Sequence, residues 1–113
     1  DHDPRDIELK KVEFDHADFG SLGLESAFGA LNTLLPLEDA IRVLQTGRNR
    51  FLKEETLLEE GAQANLTLFD PEHAYTFTKE HILSASKNSA FLKQELKGRV
   101  YGVINGQHIE IEE

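Results

Sequence analysis

The sequence predicts an α+β chain in which helices come first and strands follow. Apolar residues recur at helical spacing through Leu24, Phe28, Leu31 and Leu35. After Gly61 the period changes to two, in Ala64-Asn65-Leu66-Thr67-Leu68-Phe69. Asn105-Gly106 then separates two alternating apolar runs, the strongest short signal for a hairpin.

Each element follows in order. Residues 1–18 are polar and charged, hold no period and read as a loop, with a short turn around Ile7 to Lys11. Phe19-Gly20-Ser21-Leu22-Gly23 is a glycine-punctuated turn. A first helix falls within residues 22–35, and Ala27, Ala30 and Leu34 widen its stripe enough to predict burial on most sides. Pro36 interrupts and opens a second helix, residues 37–46, because its missing N–H has no partner in a first turn anyway. Glu38 and Asp39 suit the positive end of that helix, and Leu37, Ala40, Ile41 and Leu44 form its apolar face. Gly47 suits its end, with Arg48 to Leu52 adding one further turn. A strand over 64–69 stops at an Asp70-Pro71 turn, a shorter one follows around Tyr75 to Thr78, and Thr78 opens a capped helical turn. Strands over 100–104 and 107–111 form the hairpin. Phe77 and Phe91 read as core aromatics, and there is neither an internal repeat nor a low-complexity linker.

The chain has 113 residues, 39% apolar and 29% charged. That is one domain or part of one, long enough to bury about two-thirds of its unfolded surface. The net charge of −9, with no basic run, argues against nucleic acid and anionic membrane as partners. The absence of cysteine excludes disulfides, thiolate zinc sites and thiol nucleophiles, and is compatible with a cytoplasmic location. No stretch approaches the roughly 20 apolar residues of a membrane span. The chain starts at Asp1, without Met and inside what reads as a motif, so upstream sequence is expected.

Chemistry-bearing residues concentrate at the start. Asp1-His2-Asp3-Pro4-Arg5-Asp6 combines metal ligands and proton carriers with a guanidinium fork that matches a carboxylate. The bland alternative is a solvated terminus. Glycines in Phe19-Gly20-Ser21-Leu22-Gly23-Leu24 let backbone N–H groups approach a ligand, or merely make a tight turn. His16, His73, His81 and His108 lack the spacing of metal motifs. The acidic end, residues 110–113, reads as a solvated tail. No nucleophile elbow or phosphate loop is present.

Asp1-His2-Asp3-Pro4-Arg5 resembles the Asp-His-x-Pro-His motif of dihydroorotases. Phe19 to Phe28 resembles that family's Phe-Gly-x-x-Gly-x-Glu-Thr-Ala-Phe segment. Residues 60–71, Ser86-Lys87-Asn88-Ser89-Ala90-Phe91 and Gly98-Arg99-Val100-Tyr101-Gly102 resemble its later strand, last loop and hairpin. The style is that of the Bacteroidetes branch, and the resemblance covers almost the whole chain in order.

The resemblance implies the C-terminal segment of a zinc-dependent amidohydrolase. Residues 1–52 would be the active-site loop and last helices of a (β/α)8 TIM-type barrel. Residues 53–113 would be the C-terminal strands of an accessory β-domain. The implied reaction is the reversible hydrolysis of the cyclic amide of L-dihydroorotate to N-carbamoyl-L-aspartate, in pyrimidine biosynthesis in the cytoplasm. Two zinc ions would serve it, held mostly by a His-x-His pair, a carboxylated lysine and further histidines upstream. On this chain the resemblance makes Asp1 the catalytic proton carrier and a metal contact. Arg5, in place of the usual His, with Phe19 and Gly20, would bind substrate. The implied partners are that small-molecule substrate and the missing N-terminal barrel segment; homo-oligomerisation stays open. The 113 residues alone are expected to be inactive. Two alternatives remain: another cyclic-amide hydrolase (hydantoinase, dihydropyrimidinase or allantoinase), or a non-catalytic dihydroorotase-like structural partner.

Overall fold

The computed structural model describes residues 2–52 and 58–112. Two α-helices, α1 (Ala27–Leu34) and α2 (Leu37–Leu52), precede three strands, β1 (Asn65–Thr76), β2 (Glu95–Asn105) and β3 (His108–Ile111). The strands form one antiparallel sheet in the order β1-β2-β3. Short 3-10 turns punctuate the loops at Ile7–Lys10, Phe14–His16, Leu24–Ser26 and Lys79–His81. The α+β order and the hairpin therefore agree with the sequence.

The hairpin turn sits one residue later than Asn105-Gly106 suggests. Asn105 pairs with His108, so Gly106 and Gln107 are the central residues. Gly106 has φ +61°, which suits glycine at the first position of a type II′ turn. Its N–H donates to the Ala64 carbonyl at 2.8 Å, tying the turn to the start of β1.

Asp70-Pro71 does not end β1. The strand runs through it, with the register jumping from Asp70↔Arg99 to Ala74↔Lys97. A proline is tolerated at such a bulge because no ladder bond is asked of it. Asn32 of α1 secures the irregularity: its Nδ2 donates to the Pro71 carbonyl at 2.9 Å and the Lys97 carbonyl at 2.7 Å. Opposite the bulge Gly98 takes φ +111°, where an added Cβ would stand 2.8 Å from both Asn32 Nδ2 and a Phe28 ring carbon.

The core cluster is Leu22, Phe77, Ile82 and Leu96, with Ala30, Tyr75, Phe91 and Leu92 packed against it. It draws on both the loop half and the sheet half of the chain. Phe77 and Phe91 thus take the core roles assigned to them.

The leucine stripe of α1 does not. Its buried residues are Gly29 and Asn32, while Leu24 and Leu34 are exposed, Leu34 at 80%. The helix approaches the sheet closely at Gly29, where a Cβ would lie 2.7 Å from the Tyr75 hydroxyl. Thr33 Oγ1 accepts the Lys97 N–H at 2.8 Å. Small and polar side chains make this contact because they reach strand backbone groups that a leucine would leave unpaired.

The second helix also departs from expectation. Gly47 lies inside it, and it continues to Leu52. Only Ala40 is buried; Val43, Leu44, Phe51 and Leu52 are exposed. The radius of gyration, 16.2 Å, exceeds the ~13 Å of a compact chain this long. Among the described residues, apolar side chains of both helices stay uncovered. No helix among the described residues is long and apolar enough to cross a membrane.

Candidate functional site

Of the predicted site residues, Asp1 lies outside the described residues, while Arg5, Phe19 and Gly20 lie within them. The fold brings His2-Asp3-Pro4-Arg5 onto the Phe-Gly turn. The Asp3 N–H donates to the Ser21 carbonyl at 2.9 Å. Gly20 has φ +118°, and a Cβ there would meet Asp3 Oδ2 at 2.6 Å and Arg5 Cγ at 2.9 Å. Only glycine suits both that backbone and that contact.

The Arg5 guanidinium is engaged inside the loop. Its Nε lies 3.3 Å from Asp3 Oδ1 and its Nη2 3.4 Å from Asp3 Oδ2, a two-point approach, with Nη1 3.7 Å from Asp18. All three side chains are more than 40% exposed, so these pairs contribute little stability. They hold the fork in one orientation while its five N–H groups outnumber the contacts made. Phe19 is 94% exposed.

His2 takes a defined position that the sequence does not reveal. Its Nδ1 accepts the Gly23 N–H at 3.2 Å and the Leu24 N–H at 3.0 Å, at the opening of the helical segment. His2 Nδ1 also stands 3.8 Å from Glu25 Oε2.

Glu25 is the deepest carboxylate of the region, with its side chain 14% exposed. Its Oε1 accepts the Ser84 N–H at 3.0 Å and the Ser84 hydroxyl. Oε2 is buried without a hydrogen-bond partner. Burial pushes this carboxyl up, but the hydrogen bonds from the Ser84 hydroxyl and from backbone N–H groups outweigh it and hold the group below its ordinary value. The one sequence signal here was Glu25 in the Phe-Gly segment; Ser84 lies two residues before the Ser-Lys-Asn loop, at a polar position without a period.

No group of three or more His, Asp or Glu among the described residues could hold a metal ion. His2 offers Nδ1 to the backbone, and Asp3 and Asp18 face Arg5. The described residues therefore do not fit a zinc centre. A separate open groove of about 630 Å³ runs between α1 and the sheet, lined by Glu25, Phe28, Tyr75, His81 and Arg99 among others. None of Arg5, Phe19 and Gly20 lines it. Burial pushes the Tyr75 hydroxyl up from its ordinary value.

No family model matches the chain. It is 33% identical to a dihydroorotase of Chlorobaculum tepidum over 96% of its own length and 26% of that protein. It is 36% identical to a dihydroorotase of Endomicrobium trichonymphae over 96% of its own length and 28% of that protein. With a dihydroorotase of Clostridium acetobutylicum the identity is 35%, over 95% and 27%. The chain thus spans about a quarter of the length of these curated relatives. Several relatives of one name match the chain over nearly its whole length, and on that ground the chain belongs to the dihydroorotase family.

Proposed function

We propose that this chain is the C-terminal part of a dihydroorotase, which reversibly hydrolyses the cyclic amide of L-dihydroorotate to N-carbamoyl-L-aspartate in pyrimidine biosynthesis. The supporting observation is the contact between two motif segments distant in sequence, with Gly20 seated on Asp3 and Arg5. In this proposal residues 1–52 complete a barrel and residues 53–113 an accessory β-domain. The exposed leucines of α1 and α2 are consistent with helices that have an outside neighbour.

The roles divide by chemistry. Asp1 takes the proton of the attacking water and delivers it to the leaving amide nitrogen, a transfer that needs a carboxylate within hydrogen-bond reach. Arg5 grips the substrate carboxylate with its planar fork, held in orientation by Asp3 and Asp18. Phe19 and Gly20 face the substrate ring, Gly20 through a backbone that no Cβ obstructs. The two zinc ions of such an enzyme would be held by residues outside the described ones, Asp1 among them. The protein would act in the cytoplasm on this small-molecule substrate.

The test is an assay of the complete polypeptide that carries this segment, with L-dihydroorotate, dihydrouracil and hydantoin compared at equal concentration. Loss of dihydroorotate absorbance, with the two uncharged rings turned over at least about tenfold more slowly for want of the carboxylate contact, supports the proposal. Preference for an uncharged ring would make the protein a different cyclic-amide hydrolase. No turnover of any of them would favour a non-catalytic partner.

A further inference from the structure

The segment 84–90 belongs to the sheet half of the chain, yet its polar groups are directed at the loop half. The Ser84 N–H and hydroxyl donate to Glu25. The Ser86 hydroxyl donates to the Arg5 carbonyl. The Asn88 carbonyl accepts the Leu22 N–H at 2.9 Å, and Asn88 Nδ2 reaches the Gly20 carbonyl at 3.4 Å. The Ala90 N–H donates to Ser21 Oγ at 3.0 Å. These bonds join residues 59 to 81 positions apart.

Two of them end on the main chain of residues that would meet substrate. Ser86 holds the carbonyl of Arg5, and Asn88 that of Gly20. Neither touches the guanidinium. The root of the arginine is thereby fixed while its fork stays available, and the same segment fixes the glycine whose backbone faces the ring. An arginine side chain has many rotamers to choose from, so a fixed root matters to where its tip can be. Misplacement by about 1 Å can cost about 100-fold in an oriented site.

We propose that segment 84–90 is a positioning brace for the substrate loop, with Ser86 setting Arg5 and Asn88 setting Gly20. The proposal rests on the dihydroorotase function given above. Both are positioning residues, acting through the loop backbone rather than on substrate.

The experiment uses the complete polypeptide. Ser86→Ala removes the hydrogen bond to the Arg5 carbonyl, together with the acceptor of the Asn88 N–H at 3.3 Å, and should raise KM for dihydroorotate about 3- to 10-fold, with kcat within about twofold. Ser86→Thr keeps the hydroxyl and should restore KM. Asn88→Ala should shift KM in the same direction. Lys87→Ala removes a bond that does not reach the loop half, from Lys87 Nζ to the Ile82 carbonyl at 2.6 Å, and should leave KM unchanged. Hydrogen exchange of peptides covering residues 2–6 and 19–23 should quicken in Ser86→Ala and not in Lys87→Ala. An unchanged KM in Ser86→Ala, or a fall in melting temperature and kcat without a change in KM, overturns the brace. If the parent polypeptide does not hydrolyse dihydroorotate, the function fails instead. The exchange measurement then decides the brace alone, and unchanged exchange overturns it.

Discussion

The two helices of this chain are used in opposite ways. The first, α1, is docked by its small and polar residues: Gly29 lets it approach Tyr75, Asn32 caps two strand carbonyls and Thr33 accepts a strand N–H. The second, α2, is the more strongly amphipathic in sequence, yet it buries only Ala40. Backbone-satisfying side chains thus share the docking of α1 with the Phe28 ring, whose centroid lies 4.7 Å from that of Phe69. Leu34 of α1 and Leu44 and Leu52 of α2 are exposed. Apolar periodicity reports that a face seeks cover, and the cover need not come from the same 113 residues.

The largest expected effect strikes the docked helix. Gly98→Ala forces a residue with a Cβ into φ +111° and against Asn32 and Phe28. It should cost about 3 kcal/mol, combining backbone strain with overpacking, read as a lowered denaturant midpoint of the complete protein. A loss under about 1 kcal/mol would show that α1 can lift from β2 at little cost, and the contrast between the helices would weaken.

Asn32→Ala comes next. It leaves the Pro71 and Lys97 carbonyls without their donor at a buried site and should cost about 2 kcal/mol. Asn32→Leu, which adds apolar surface on the same face, should not recover it. Recovery would mean that packing, not backbone satisfaction, docks α1.

Glu25 gives a smaller, pH-dependent effect. Its carboxyl is held below its ordinary value in the folded state. Its contribution is therefore fully present above the unfolded value and is lost as pH falls through the folded one. The melting temperature of the parent should exceed that of Glu25→Gln at neutral pH, and the gap should narrow on acidification below the ordinary carboxylate range. A gap that widens there would reverse the assignment.

The smallest effect belongs to α2. Phe51 is 89% exposed, so Phe51→Ser in the 113-residue chain should change stability by less than about 0.5 kcal/mol. A loss of about 2 kcal/mol would mean that the ring is packed within the chain and that α2 is docked like α1.

Much of this was legible in the residues. The helix after Leu24, the hairpin near Gly106 and the capped turn at Thr78 follow from local spacing and turn chemistry. The run of β1 through Asp70-Pro71 does not, because the side chain that makes it tolerable, Asn32, sits 39 residues away. The orientation of α1 was misread for the same reason, since its buried face is defined by strand carbonyls rather than by its own apolar pattern. At the candidate site, Arg5 and Gly20 stand out in sequence and the fold brings them together. Ser86 and Asn88 belong to a loop without period, and their partners on the far half of the chain cannot be read from neighbours.

The hairpin ends the sheet on β3, whose outer side pairs with no strand among the described residues. It is exposed throughout and displays Ile109 and Ile111, a template on which a second molecule could add its own strand. Glu110 and Glu112 flank these isoleucines. Two such margins brought together would set carboxylates against carboxylates, so like-charge repulsion protects the border that geometry leaves open. Salt and acid both weaken that repulsion, and self-association through this margin should be sought first under those conditions.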